Sequence, residues 1–219
     1  MSSTKRTRGR HPNDRKLFAE KFIADLRAAT HDLSILLTMG YPDKASLKLV
    51  GDRFRLTERQ RMAVLRGACS DADLAVRKAK ELTVNELKNK TILIDGFNLL
   101  ISLETALSGG FIFVGRDGSY RDLASVHGTY KRVTTTQIAV EMVGHFCKKH
   151  QVEKLIWYFD TPVSNSGRLK VLLYEIAEQN DWNWEIILDY NPDKVLKEAK
   201  SGVVVSSDAM VLNLSLIHI

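Results

Sequence analysis

The stretch TILIDGFN, residues 91–98, decides the fold of the second half of the chain. Its apolar and β-branched residues are typical of a buried parallel strand. Segments of the same kind follow at EKLIWYFD (153–160), WNWEIILD (182–189) and GVVVSSD (202–208), with helical patterns between them. This alternation predicts an α/β fold, a doubly wound and mostly parallel sheet, over residues 91–219.

Residues 14–90 carry a different pattern, with apolar residues at helical spacing. Thr57 to Gln60 forms a capping box that opens one helix, and Gly51 is a predicted helix end. We predict a small all-α basic domain over 14–90, preceded by a flexible basic arm over 1–13. The segment 110–123 is a predicted hairpin, which the periodicity assigns to the second domain.

The two halves differ in charge. Residues 1–90 contain 20 Lys and Arg against 11 Asp and Glu, and residues 91–219 contain 12 against 15. This asymmetry fits either two ordinary solvated surfaces or a basic module that holds a polyanion beside an acidic module that holds cations. Two cysteines offer no disulfide framework, and no apolar run approaches the roughly 18 residues of a membrane helix. We expect a cytoplasmic protein with no membrane partner.

Each of the four predicted strands ends in an aspartate: Asp95, Asp160, Asp189 and Asp208. In open α/β sheets, ligands bind at the carboxyl ends of the strands, where these acids would meet. The alternative is structural, because an aspartate after a strand also forms turns and caps helices. Asp189 in particular fits the turn Asp-Tyr-Asn-Pro.

Several carboxylates at one sheet edge repel one another. Two unit charges about 6 Å apart, at an effective dielectric of about 20, repel by about 2.8 kcal/mol. Either some of them stay protonated or a cation lies among them. Oxygen ligands of this kind suit Mg²⁺ or Mn²⁺, which can activate water for phosphodiester hydrolysis. The pattern therefore predicts the chemistry of a metal-dependent nuclease.

Three motifs resemble the NYN branch of the PIN-like nucleases. ILIDGFNLL (92–100) is similar to the opening motif of that family, YFD (158–160) to an intermediate acid and VVVSSDAMVL (203–212) to a later strand. The resemblance implies a PIN-like fold in which Asp95, Asp160 and Asp208 are metal-site carboxylates. It also implies that Asn98 orients a ligand or phosphate and that Ser206 and Ser207 support the site.

Two further features bear on this resemblance. The family usually carries another acid on an intervening helix, for which Glu104 and Glu141 are the candidates; the alternative is a solvated side chain. The segment 40–61 resembles a domain of unknown function found joined to PIN-like modules. The ending LSLIHI (214–219) resembles a translated sequencing adapter, so we expect a truncated sequence whose authentic part stops near Asn213 and whose PIN-like domain is incomplete at the C-terminus.

Basic and aromatic residues are the candidates for RNA contact. The segment 116–132 gathers Arg116, Arg121, His127, Tyr130, Lys131 and Arg132, and the helical half adds Arg53, Arg55 and Arg59. Such groups suit phosphates and unstacked bases, although 116–132 is equally compatible with an ordinary polar loop. The sequence thus predicts a metal-dependent ribonuclease acting on single-stranded or structured RNA. The alternative is an inactive PIN-like RNA-binding or scaffold protein, and the oligomeric state stays open, a homo-oligomer included.

Overall fold

The computed structural model of the protein describes residues 8–9, 11–124, 130–215 and 218. The chain divides into two compact units. The helical unit comprises Gly9–Ala79 and Gly109–Leu123, and the α/β unit comprises Met1–Arg8, Lys80–Ser108 and Ala124–Ile219. Within the described residues, no helix combines the length and the apolar character needed to span a membrane.

The secondary structure follows the predicted order of elements. In chain order they are α1 (Asp14–Leu17), α2 (Glu20–Thr38), α3 (Asp43–Arg53), α4 (Glu58–Gly67), α5 (Asp71–Lys80), β1 (Thr91–Asp95), α6 (Gly96–Leu107), β2 (Ile112–Val114), β3 (Tyr120–Asp122), α7 (Thr136–Lys149), β4 (Lys154–Asp160), α8 (Ser166–Gln179), β5 (Trp184–Asp189), α9 (Pro192–Lys197), β6 (Val203–Val205) and α10 (Ala209–Leu214). A short 3₁₀ turn at Val84–Leu87 precedes β1.

The helical unit is built around α2, α3 and α4. Its core contains Ala29 and Leu33 of α2, Val50 of α3 and Val64 of α4. The predicted capping box is present, with the Thr57 backbone N–H donating to Gln60 Oε1 at 3.0 Å. These contacts explain why apolar residues recur at helical spacing in this half of the sequence.

Two predicted helix boundaries are wrong. α3 continues through Gly51 to Arg53. Gly51 does not end the helix but makes room for the guanidinium of Arg61, which a Cβ at this position would approach within 2.3 Å. The apolar spacing from Asp14 to Met39 predicts one helix, but the chain forms α1 and α2 separately, since Ala19 has an extended conformation with ψ 155°.

The hairpin of β2 and β3 belongs to the helical unit, although the sequence assigned it to the second domain. The turn lies at the predicted position, with Gly118 at φ 87°. The Arg116 N–H donates to the Gly67 carbonyl at 2.8 Å, and the Phe18 and Phe111 rings stack with centroids 3.9 Å apart. The boundary predicted at residue 90 therefore misses a non-local segment of the helical unit.

The α/β unit contains a four-stranded parallel sheet in the order β5-β4-β1-β6. This confirms the predicted α/β class and the helical region before it. One face of the sheet packs through Ile92, Trp157 and Phe159 against α6, α7 and α8. The opposite face packs through Leu93 and Val204 against Leu196 of α9 and Val211 of α10. Because side chains alternate along a strand, Asp95 lies on the same face as Leu93.

The last strand is shorter than predicted. β6 ends at Val205, and Asp208 follows three residues later as the N-cap of α10. The helical pattern that begins at Asn191-Pro192 predicts a helix to Lys200, whereas α9 ends at Lys197. Three of the four strand-end aspartates therefore lie at strand ends, and the fourth lies in the loop beyond its strand.

Replacing Gly96 with alanine is expected to lower the free energy of unfolding by about 1–3 kcal/mol. A Cβ at Gly96 would lie 2.3 Å from Cε1 of the buried Phe159 ring, so the start of α6 has to move. Chemical denaturation of both proteins measures the difference. Gly167→Ala in α8 is the matched control, because its Cβ would meet no atom within 4 Å. Equal stabilities for the two variants would contradict the close contact.

Candidate active site

The candidate site lies where β1 and β6 end side by side. From β1 the chain passes to β4 and then to β5, which lie on one side of β1. It then returns and forms β6 on the other side of β1. Such a reversal leaves a crevice at the carboxyl ends of the two strands, the usual ligand position in open α/β sheets. The register pairs Ile94 with Val205, which brings the next residues, Asp95 and Ser206, together.

Asp95 is the most buried acid at this edge, with 8 % of its surface exposed. Its Oδ2 accepts a hydrogen bond of 2.7 Å from the Ser206 hydroxyl. Burial raises the pKa of Asp95 to about 7, against the lowering effect of Ser206, and the charges of Asp193 and Asp208 raise it further. Near neutral pH this carboxyl is therefore poised between its neutral and ionised forms.

Two short links fasten the start of α6 to the loop after β6. Ser206 Oγ accepts from the Asp208 N–H at 3.0 Å while donating to Asp95. Asn98 Oδ1 accepts both the N–H and the hydroxyl of Ser207, each at 2.9 Å. The two serines and Asn98, which the resemblance marked as supporting residues, therefore lie beside Asp95.

A second group of acids follows β4 and β5. The register pairs Asp160 with Asp189, and it pairs Asp95 with Tyr158, so β4 continues two residues beyond the level of Asp95. Burial raises the pKa of Asp160, and the charges of Asp193 and Asp189 add to the rise. Asp193 thus acts on the carboxyls of both Asp95 and Asp160.

Asp193 is the site residue that the sequence did not predict. It lies in the first turn of α9, directly after β5. The segment Asn191-Pro192-Asp193 already has a local explanation, since Asn191 Oδ1 caps the helix by accepting from the Lys194 N–H at 3.0 Å. The available signal was the position of Asp193, one turn after a strand that ends in aspartate.

Two of the predicted acids also have structural roles. Asp208 Oδ1 caps α10 by accepting the backbone N–H groups of Met210 and Val211. Asp189 Oδ1 accepts the Asn191 N–H at 2.7 Å and shapes the turn before α9. Among the residues that the structure describes, no group of three or more His, Cys, Asp or Glu side chains is gathered closely enough to hold a metal ion.

Of the two candidates for an additional acid, Glu104 lies away from the strand ends, and Glu141 stays a prediction. Glu104 is fully buried on α6, about 13 Å along the helix axis from Asp95. Its carboxylate accepts from Thr136 Oγ1 at 2.5 Å and from the Tyr130 hydroxyl, and it forms an ion pair with Arg8. Glu141, half-buried on α7, accepts from Gln137 at 2.8 Å. The structure therefore does not bring Glu104 to the strand ends.

Several residues predicted to contact RNA are buried or engaged in ion pairs. Tyr130 and Arg121 are 1 % and 5 % exposed, and Arg121 binds Asp117 through two hydrogen bonds of 2.7 Å. Arg59 is held by Asp14. Burial argues against Tyr130 and Arg121 as RNA contacts, and a sequence marks residue type but not burial. The remaining candidates stay predictions: Arg116 and Arg53, both in ion pairs at the surface, and Arg55, Lys131 and Arg132, all exposed. His127 lies outside the described residues.

Fold and site together define a protein with two units: a helical unit, and a parallel α/β unit with acids at its strand ends. The family described as "Domain of unknown function (DUF5616)" matches residues 84–216, and the chain belongs to this family. The family "Protein of unknown function (DUF434)" matches residues 25–80. The chain is 31 % identical over 187 residues to "Uncharacterized protein MJ0935" of Methanocaldococcus jannaschii, covering 85 % of this chain and 88 % of that protein. No solved structure matches this chain.

Proposed function

We propose that the α/β unit is a metal-dependent ribonuclease of PIN-like type, with its site at the ends of β1, β4 and β6. The observation that carries the proposal is Asp95: a buried carboxyl at the topological crossover, hydrogen-bonded by Ser206 and acted on by two further acids. We also place this activity in the cytoplasm, in keeping with two cysteines that are both free.

The donor set suits Mg²⁺ or Mn²⁺. Carboxylate oxygens are the ligands that these cations prefer, and a cation near Asp95 would offset the repulsion among Asp95, Asp193 and Asp208. Asp95, Asp160 and Asp208 would hold it, and the bound ion supplies an activated water and stabilises the departing oxygen of the phosphodiester. These acids have to approach one another on binding, since the described residues contain no gathered group of three.

The protein's own residues position this chemistry. Ser206 holds the Asp95 carboxyl in one orientation through a 2.7 Å hydrogen bond. Ser207 fixes Asn98 Oδ1, which leaves the amide NH₂ of Asn98 to donate to a phosphate oxygen. Asp193, on the first turn of α9, adds negative charge beside both Asp95 and Asp160.

The second candidate function is an inactive RNA-binding or scaffold protein. It is favoured by the local roles of Asp208 and Asp189, each of which caps or shapes a turn. In such a protein the strand-end acids would be structural, and divalent cations would neither stabilise the fold nor support cleavage.

The test is cleavage of labelled single-stranded RNA in Mn²⁺, in Mg²⁺ and in EDTA. We expect cleavage by the wild type in either metal, none in EDTA and none by Asp95→Asn, because the carboxylate is a metal ligand. Asp25→Asn, which removes an exposed carboxylate of α2, is the matched control and should cleave like the wild type.

Thermal unfolding with and without Mn²⁺ separates the two candidates. If the protein is the proposed ribonuclease, Mn²⁺ raises its Tm, since a ligand that binds the native state stabilises it, and this rise disappears in Asp95→Asn. RNA binding without cleavage, together with no Mn²⁺ effect on Tm, would favour the scaffold instead.

A further inference from the structure

The helical unit contains a cavity of about 580 Å³ that the proposed chemistry does not use. Its walls come from α2, from α4 and from the strand β2 with the residues on either side of it. This volume lies within the range of about 300–1,000 Å³ that is typical of small-molecule sites. All of its lining residues belong to this one unit.

Three phenylalanine rings form a row along one wall. Phe18 and Phe111 stack with centroids 3.9 Å apart and planes 15° apart, and Phe111 and Phe113 follow at 5.8 Å and 25°. Phe111 and Phe113 are two residues apart on the hairpin, so both face the same side. Phe18 covers one face of Phe111, and all three rings are only partly buried and line the cavity.

The charged side chains that line the cavity are all basic. They are Arg27 and Arg116, with His31 beside Arg27 on α2, and no Asp or Glu is among the described lining residues. Arg116 is held by Asp71 and by the Cys69 carbonyl. Arg27 is exposed and makes no ion pair within the described part of the chain. His31 lies 3.7 Å from the Asp32 carboxylate, so the positive charge offered to a ligand comes from Arg27, in a half of the chain that carries excess Lys and Arg.

We propose that this cavity binds the unpaired bases of single-stranded RNA, which stack on Phe111 and Phe113 while Arg27 contacts the adjoining phosphate. The choice of RNA as occupant rests on the proposed function. Base stacking on aromatic rings tolerates any base, and a flanking cation follows the backbone. A purely apolar ligand would contact the rings, but it would make no use of the positive charge of Arg27 at the edge of the cavity.

The test measures binding in EDTA, so that cleavage plays no part. Fluorescence anisotropy with the full chain gives the Kd of labelled oligouridylate and of an abasic ribose-phosphate oligomer of equal length. Phe111→Leu keeps an apolar side chain and removes the ring face. Phe146→Leu makes the same change at an exposed ring on α7 and is the control.

We expect Phe111→Leu to raise the Kd for oligouridylate by about 10-fold, and Phe146→Leu to leave it within about twofold. Affinity for the abasic oligomer should be unaffected by Phe111→Leu, because it has no base to stack. Arg27→Gln should reduce the slope of log Kd against log salt by about one, and it does not disturb the aromatic row.

An unchanged Kd for oligouridylate in Phe111→Leu and in Phe113→Leu would overturn the proposal and point to an apolar or peptide ligand for the cavity. Equal losses for oligouridylate and the abasic oligomer would overturn it as well. A wild-type protein that binds oligouridylate in this way but never cleaves it would contradict the ribonuclease and leave the base-binding cavity standing.

Discussion

Asp95→Asn is expected to raise the free energy of unfolding by about 4 kcal/mol at about pH 8 in EDTA, and by far less at about pH 4. Burial is the main cause of the raised Asp95 pKa, about 7, whereas the unfolded chain releases this proton near pH 3.9. Between those values the native state binds more protons than the unfolded state, so its stability falls as the pH rises. Asparagine does not titrate, so the free energy of unfolding of Asp95→Asn does not fall in this way as the pH rises.

Urea denaturation at several pH values measures the effect as the difference between Asp95→Asn and the wild type. That difference should grow by about 1.4 kcal/mol per pH unit between about pH 4 and pH 7 and then level off. Asp25→Asn on the exposed side of α2 should show no such trend. A difference independent of pH would contradict the burial of an ionisable carboxyl at the end of β1.

Asp117→Asn is expected to destabilise the helical unit by about 3–5 kcal/mol. The Asp117 side chain is 1 % exposed and receives Arg77 at 2.5 Å as well as the two-pronged contact from Arg121. Both arginines are themselves about as buried, so the substitution removes a buried carboxylate that contacts two buried positive charges. Denaturation by urea, and not by guanidinium chloride, at neutral pH measures this loss of stability.

Asp52→Asn is the control for that experiment. Asp52 also binds an arginine, Arg61, at 2.6 Å, but 59 % of its side chain is exposed, so the loss should stay below about 1 kcal/mol. Similar losses in both variants would contradict a buried charge network. Arg121 and Arg77 outweigh the effect of burial and lower the pKa of Asp117, so its contribution is present above about pH 4 and is lost as the pH falls further.

The elements of the α/β unit were predictable because their signals are local. The apolar bursts ending at Asp95, Asp160 and Asp189 mark three strands, and the structure confirms each. The order of those strands was not predictable, since it depends on contacts between segments far apart in sequence. That order places β6 next to β1 and so brings the Ser206 hydroxyl to the Asp95 carboxyl.

The misplaced residues have a common physical reason. Arg121 and Tyr130 look like surface groups because arginine and tyrosine often contact RNA, but each has a buried partner: Asp117 for the first and Glu104 for the second. Asp117 lies only four residues before Arg121, and a turn brings them together. Asp193 was overlooked for the opposite reason, since Asn191 and Pro192 already explain the start of α9 locally.

The helical unit is discontinuous in sequence, because the hairpin of β2 and β3 that completes it is inserted between two segments of the α/β unit. The segment that completes the helical unit is encoded inside the range 84–216 matched by the second family, so the chain leaves the α/β unit after Ser108 and re-enters it at Ala124. A truncation at residue 80 or 90 would remove Asp117, which binds Arg77, and also Phe111 and Phe113 of the phenylalanine row. Neither unit can therefore be cloned, exchanged or inherited as one continuous segment of sequence. A chimaeric protein that keeps the fold has to include the hairpin together with the helices.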